Sequence, residues 1–168
     1  RATQLIFLNR TCFNGLYRVN SKGLFNVPFG KYKNPGIYNE KSLRAASNLL
    51  KNTIIECSSY QNLPKEFLSN SLIYFDPPYR PLSNTSSFTA YNKSNFNDIN
   101  QIELANYYKK ISENKNLFLI LSNSDPKNSD KNDNFFDDLY NGFNINRVSA
   151  TRIINSKSEG RGKITEIL

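Results

Sequence analysis

The sequence predicts an α/β fold: a largely parallel sheet closed by a C-terminal antiparallel hairpin, with a loop-rich module ahead of it. Three observations carry that expectation. From Thr53 onward, short apolar runs alternate with stretches of helical spacing, the order that βαβ units produce. The run Leu117-Phe118-Leu119-Ile120-Leu121 has no polar alternation, as expected of a strand covered on both faces. Residues 10–36 are rich in Asn, Gly, Lys and aromatics and follow neither period.

Taken in order, residues 1–9 read as the end of a helix, and residues 10–36 as the loop-rich module. Glu40 to Lys51 has helical spacing, with Leu43, Ala46, Leu49 and Leu50 on one face. Thr53 to Cys57 reads as a short strand and Ser71 to Phe75 as a second, ending at Asp76. A polar loop from Pro81 to Asn95 contains Phe88 and Tyr91. Asn97 or Asp98 caps a helix running to about Asn114, with Ile99, Ile102, Leu104, Ala105, Tyr108 and Ile111 suitably spaced. Leu117 to Asn123 is the apolar strand. Residues 124–133 are a low-complexity Asn/Asp/Lys/Ser loop, and 134–141 a short helix. Asn144 to Ile154 and Lys163 to Leu168 form the antiparallel pair. Asp76 and Ser122-Asn123 then both lie at C-terminal strand ends, where open α/β sheets bind ligands.

Composition narrows the chemistry. The 168 residues can bury a real core, and the mean hydropathy of −0.58 fits a soluble chain. No apolar run reaches the ~20 residues needed to cross a bilayer, so no membrane role is expected. Histidine is absent and the two cysteines, Cys12 and Cys57, are far apart, which argues against a zinc site and imidazole catalysis; no metal is expected. Free thiols suit a reducing cytoplasm. The net charge is +8, unevenly spread: residues 1–39 hold six basic side chains and no acid, the rest 16 basic and 14 acidic. A basic segment beside a near-neutral body suggests a part that binds a polyanion. There is no methionine anywhere, the chain opens at Arg1 and it stops inside the apolar run 164–168, so a fragment of a longer protein is expected.

The most informative motif is Asp76-Pro77-Pro78-Tyr79. A strand delivers an acid to its tip. Two prolines, with fixed φ and no N–H, present their carbonyls in a stiff frame, and Tyr79 offers a flat face. Together they suit a planar substrate with an exocyclic amino group, such as adenine. A bare strand end with a proline turn would not need the acid and the ring.

With Phe13-Asn14-Gly15-Leu16-Tyr17-Arg18 and Phe25-Asn26-Val27-Pro28-Phe29-Gly30-Lys31-Tyr32, this motif resembles the Dam-like (D12 class) family of DNA adenine N6-methyltransferases, from about Leu8 to Leu168. The resemblance implies part of a Rossmann-like class I methyltransferase sheet and S-adenosylmethionine as methyl donor. It also implies double-stranded DNA as partner, GATC-like sites and a monomer. By resemblance, residues 1–39 are the target-recognition region and 40–168 the C-terminal half of the catalytic core. Such an enzyme flips its adenine out of the duplex. Asp76 and the Pro77 carbonyl would accept hydrogen bonds from N6, and Tyr79 would stack on the base. Two acceptors favour a pyramidal nitrogen whose lone pair can attack the methyl in line.

As a DNA reader the module makes physical sense. Arg18 can donate bidentately to guanine O6 and N7. Leu16 and Pro28 can meet a thymine methyl, and Phe13, where the family often has Tyr, can wedge between base steps. Arg10, Asn14, Lys31 and Lys33 suit phosphates, and Tyr32 belongs to the same stretch. Phe88 and Tyr91 resemble the loop that closes on the flipped base. Ser59 and Tyr60, with Asp76, resemble positions near the cofactor. The family's glycine-rich cofactor loop precedes the recognition region and is not found here, and Gly160-Arg161-Gly162 sits in a late hairpin. Two rival readings stay open: a non-catalytic DNA-binding module or degenerate paralogue, and a methyltransferase acting on RNA or protein glutamine.

Overall fold

A computed structural model describes residues 1–81, 96–152 and 162–168, in two compact units, Arg1–Ser58 and Ser59–Leu168.

In the first unit, helix α1 (Ala2–Thr11) contains neither Gly nor Pro. It stops where Cys12 turns extended (φ −80°, ψ 165°), the Cys12 N–H still closing on the Leu8 carbonyl at 2.8 Å. A single 3₁₀ turn, Phe13–Gly15, follows, with Asn14 and Gly15 both at positive φ (54° and 63°). Two arms then run back along each other, joined by isolated bridges Cys12–Phe29 and Val19–Phe25. The tip between them is an Asn turn: the Asn20 side-chain oxygen accepts from the Lys22 and Leu24 N–H groups. A Cβ added at Gly30 would lie 2.8 Å from the Cys12 carbonyl oxygen and press into the Tyr32 ring, so only glycine fits there. Helix α2 (Glu40–Leu49) is capped by Asn39, whose side chain accepts from the Ser42 N–H at 3.0 Å. A groove lined by Leu5, Ile6, Ile37, Tyr38 and Leu43 separates α1 from α2.

The expected helix is present as α2, its apolar residues largely exposed, Leu49 81% so. One expectation fails in this unit: 53–57 is not a strand but irregular, with Ile54 and Ile55 exposed. The segment has strand-forming residues, but a strand forms only against a partner, and the described residues provide none for it.

The second unit carries the sheet. Strands β1 (Ser71–Phe75) and β2 (Leu117–Leu121) pair in parallel, Ser71 opposite Leu117 and Phe75 opposite Leu121. Helix α3 (Asp98–Ser112) makes the crossover. Its start is a capping box: the Asn97 side chain accepts from the Ile99 and Asn100 N–H groups, and the Asn100 side chain accepts from the Asn97 N–H. Leu104, Ala105, Tyr108 and Ile111 pack with Phe75, Leu117 and Leu121 into one core, joined by Phe136 and Tyr140 from the short helix α4 (Phe135–Leu139) and the residue after it. Beyond Leu121 the chain stays extended and changes partner. Strand β3 (Asn123–Ser124) pairs with β5 (Gly162–Ile167), which pairs with β4 (Arg147–Arg152), all antiparallel. The expected C-terminal hairpin is therefore present, with an unexpected third strand.

Three corrections apply here. The β1–β2 sheet is not covered on both faces: Phe118 is 71%, Leu72 63% and Tyr74 55% exposed, because α3 covers only the face of Phe75, Leu117 and Leu121. Ile99 and Ile102 point outward, whereas Gln101 is fully buried. The polar stretch after β3 is ordered. A 3₁₀ turn, Pro126–Asn128, is capped by Asp125, whose carboxylate is 1% exposed and accepts from Thr165 Oγ1 (2.6 Å), Arg147 Nε (3.1 Å) and the Lys127 N–H (3.2 Å). Its polarity is spent on holding β4 and β5 to this turn.

Candidate active site

Asp76 follows the last residue of β1 and is exposed. Its neighbour is fixed by the parallel register: the Ser122 N–H donates to the Phe75 carbonyl (3.0 Å), which places the Ser122 hydroxyl 3.2 Å from Asp76 Oδ1, to which it donates. Ser122 itself is 4% exposed. Oδ2 meets no donor among the described residues. The two proline carbonyls differ. Pro78 accepts from Gln101 Nε2 at 3.0 Å, whereas the Pro77 carbonyl has no donor among the described residues. The turn thus presents one carboxylate oxygen and one backbone carbonyl as acceptors.

Tyr79 is 36% exposed, with its hydroxyl 3.5 Å from Glu166 Oε2. Burial pushes its pKa up, a hydrogen bond with Ser122 opposes this, and the charges of Glu166 and Asp76 add to the rise. Its phenol is therefore a neutral donor at pH 7.

Arg80 locks the turn to the body. Its Nε and Nη2 donate to the two oxygens of Asp98 (2.9 and 3.1 Å), Nη1 donates to Asp133 (2.7 Å), and the guanidinium lies 4.3 Å over the Phe135 ring. Hydrogen bonding to Asp98 raises the Arg80 pKa against the cost of burial, with Asp133 contributing further. Burial would raise the Asp133 pKa, but Arg80 and the Phe135 N–H outweigh it, so the carboxyl lies below its ordinary 3.8. Replacing Arg80 with Ala leaves Asp133 half-buried without its cation, and should destabilise the unit by about 1–3 kcal/mol at pH 7. Because the folded pKa of Asp133 is depressed, that contribution is present above the ordinary carboxylate range. It is lost as pH falls through 3.8 and below, so the gap in melting temperature between wild type and Arg80→Ala should close by about pH 2–3. A gap independent of pH would assign the loss to packing on Phe135.

The sequence-predicted residues fall into two groups. Asp76, Pro77, Pro78 and Tyr79 come together with Ser122 as described. In the same unit Ser59 caps a 3₁₀ turn, Tyr60–Asn62, and Tyr60 is half-buried, its ring edge-on to Tyr107 at 5.4 Å. In the first unit the Phe13 N–H donates to the Pro28 carbonyl (2.8 Å), tying the two arms together. Cys12 Sγ donates to the carbonyl of half-buried Leu16 (3.1 Å). Arg10, Phe13, Asn14, Arg18, Pro28, Lys31 and Tyr32 are all exposed, and Lys31 has φ 53°. Arg18 is held along one edge by Asn26, Nε donating to Oδ1 (2.9 Å) and Nη2 to the Asn26 carbonyl (3.0 Å). Phe88 and Tyr91 lie outside the described residues.

Sequence reasoning missed Gln101, Arg80 and Glu166. For Gln101 a signal was available: it occupies the slot in the stripe 101-104-105-108-111 where an apolar residue belongs, and a lone amide in a buried stripe has a partner to reach. Nothing marked Arg80 or Glu166, whose partners are set by the fold. Cys12 and Cys57 are both free of any disulfide. Among the described residues no helix is long and apolar enough to cross a membrane, and no cluster of three or more His, Cys, Asp or Glu could hold a metal.

Comparison with known proteins identifies the family. A family model for the D12 class N6 adenine-specific DNA methyltransferases matches residues 1–154. The Type II methyltransferase M.MjaIII of Methanocaldococcus jannaschii is 51% identical over 161 residues, covering 96% of this chain and 53% of that protein. The Type II methyltransferase M1.LlaDCHI of Lactococcus lactis subsp. cremoris is 42% identical, over 100% of this chain and 57% of its own length. A DNA adenine methylase of Vibrio cholerae serotype O1 is 36% identical, over 100% and 58%. The chain spans little more than half the length of these relatives. An acid and two prolines at the end of a parallel strand, a family model over nine-tenths of the chain and relatives at these identities agree: the chain belongs to the D12 class of N6 adenine-specific DNA methyltransferases.

Proposed function

We propose that this chain supplies the target-recognition region and the amine-binding half of an enzyme that methylates adenine N6 in double-stranded DNA at GATC-like sites. S-adenosylmethionine is its methyl donor. The observation that carries this reading is an acid and a proline carbonyl, Asp76 Oδ2 and Pro77 O, that meet no donor among the described residues, at the end of a parallel strand beside Ser122. An extruded adenine offers two N6 hydrogens to two acceptors. Accepting both draws the nitrogen lone pair out of conjugation with the ring, which makes it nucleophilic. The Tyr79 ring stacks on the base, and its rigid proline frame orients the amine without rearrangement. Asp76 need not take the proton before attack; holding the amine is its task.

The donor supplies a methyl group on a sulfonium. The residues present fit the accepting side only: among the described residues no glycine-rich turn joins a strand end to a helix N-terminus, so no donor cradle is assigned here and no step is derived through it. This 168-residue stretch on its own should bind S-adenosylmethionine weakly, and calorimetry giving a micromolar Kd would overturn that assignment. The fold that best joins β1, α3 and β2 to the antiparallel strands is a Rossmann-like methyltransferase sheet. Residues 1–39 are the DNA reader and 40–168 the catalytic part, acting as a monomer in the cytoplasm. Incubating the whole protein with labelled donor and duplexes with or without GATC tests the function. Label should enter adenine of the GATC duplex; failure with every DNA duplex, or transfer to RNA or a glutamine peptide instead, rejects it.

A further inference from the structure

Resting on that reading of Asp76–Tyr79, we propose that Gln101 and Asn123 are positioning residues: a buried amide relay that turns the Pro78 carbonyl inward and leaves Pro77 as the backbone acceptor for the amine. The relay has a fixed direction. Asn123 Oδ1 accepts from two backbone N–H groups, those of Arg80 (3.0 Å) and Ser124 (2.9 Å). A backbone N–H cannot reverse its role, so Asn123 must present Nδ2 on its other side, and Nδ2 donates to Gln101 Oε1 at 3.1 Å. Gln101 must then direct Nε2 away from Asn123, and Nε2 donates to the Pro78 carbonyl. The Ser124 hydroxyl closes the same frame by donating to the Arg80 carbonyl at 2.7 Å.

Gln101 and Asn123 are both 0% exposed, so water cannot replace a lost link. A methionine or leucine would fill the Gln101 slot without the desolvation cost of an amide, so volume alone does not explain glutamine here. What the amide adds is an aimed hydrogen bond, sent from the start of β3 through α3 to the middle of the proline turn. With no N–H at residue 77 or 78, the turn has little backbone means of fixing itself, and this side-chain donor supplies it.

The test uses the whole protein, with transfer into a GATC duplex read as kcat and KM well below the melting temperature. Gln101→Met keeps the volume and removes the relay. Asn123→Asp keeps the two backbone contacts but faces Gln101 with a second acceptor, which forces its amide to turn its oxygen on Pro78. Both should lower kcat about tenfold to a hundredfold with KM for DNA within about threefold, because the amine is misplaced and DNA contacts are untouched. Fully folded variants that turn over at the wild-type rate would overturn the proposal, since a merely structural role lowers the melting temperature alone. Asp76→Ala separates the two readings. If it abolishes transfer while Gln101→Met and Asn123→Asp do not reduce it, only the relay falls. If wild type and Asp76→Ala transfer equally, the reading of the site falls and takes the relay with it.

Discussion

Asp76→Ala should lower kcat for methyl transfer by about 10²–10³-fold while leaving DNA affinity and the melting temperature near wild type. The kinetic loss follows from removing one of two acceptors from an amine that becomes positively charged as it is methylated, where a carboxylate contributes most. The small effect on stability follows from exposure: Asp76 is at the surface, and its described side-chain partner is the Ser122 hydroxyl. Asp76→Asn should fall between. Its Nδ2 can donate to the Ser122 hydroxyl, which accepts as readily as it donates, leaving Oδ1 toward the amine as a neutral acceptor. The order Asp, Asn, Ala in kcat, with flat KM, is the signature of an acceptor. A variant Asp76→Ala retaining more than a tenth of wild-type turnover would place the chemistry elsewhere.

That acid was legible in the sequence because a strand, its terminal acid and its prolines are contiguous, and contiguous patterns read directly. So were α3 and its Asn97 cap, and the C-terminal antiparallel strands. What could not be read has a common cause. The composition of Thr53 to Cys57 and the apolar run of β2 state what a segment could pair with, not whether a partner covers it. Ile54 and Phe118 are exposed for want of one among the described residues. The polar stretch after β3 read only as a low-complexity loop, since the residues that give Asp125 its partners, Arg147 and Thr165, lie 22 and 40 positions away. The relay through Gln101 likewise joins residues 22 and 23 positions apart. Local pattern finds the acceptor; the frame that aims it is long-range.

The first unit makes the second large prediction, and Asn26 sharpens it. A guanidinium has a side edge, Nε with one terminal nitrogen, and an end edge made by both terminal nitrogens. Asn26 occupies the side edge of Arg18 with its side chain and its carbonyl, and Nη1 meets no acceptor among the described residues. The end edge is therefore left for a base, and on the proposed reading it is the fork that would meet guanine O6 and N7. Arg18→Ala should cost about 1–3 kcal/mol on the cognate duplex, roughly 5- to 200-fold in affinity or kcat/KM, with little cost on duplexes altered at that one guanine. Replacing the guanine by 7-deazaguanine removes N7 alone. It should weaken wild type and leave Arg18→Ala indifferent, while inosine, which keeps O6 and N7, should be read normally. Asn26→Ala frees the fork without removing it, so its loss should be smaller and confined to the same guanine. Equal loss by Arg18→Ala on every sequence, with the salt dependence of binding shallower by about one unit, would make Arg18 a phosphate contact instead.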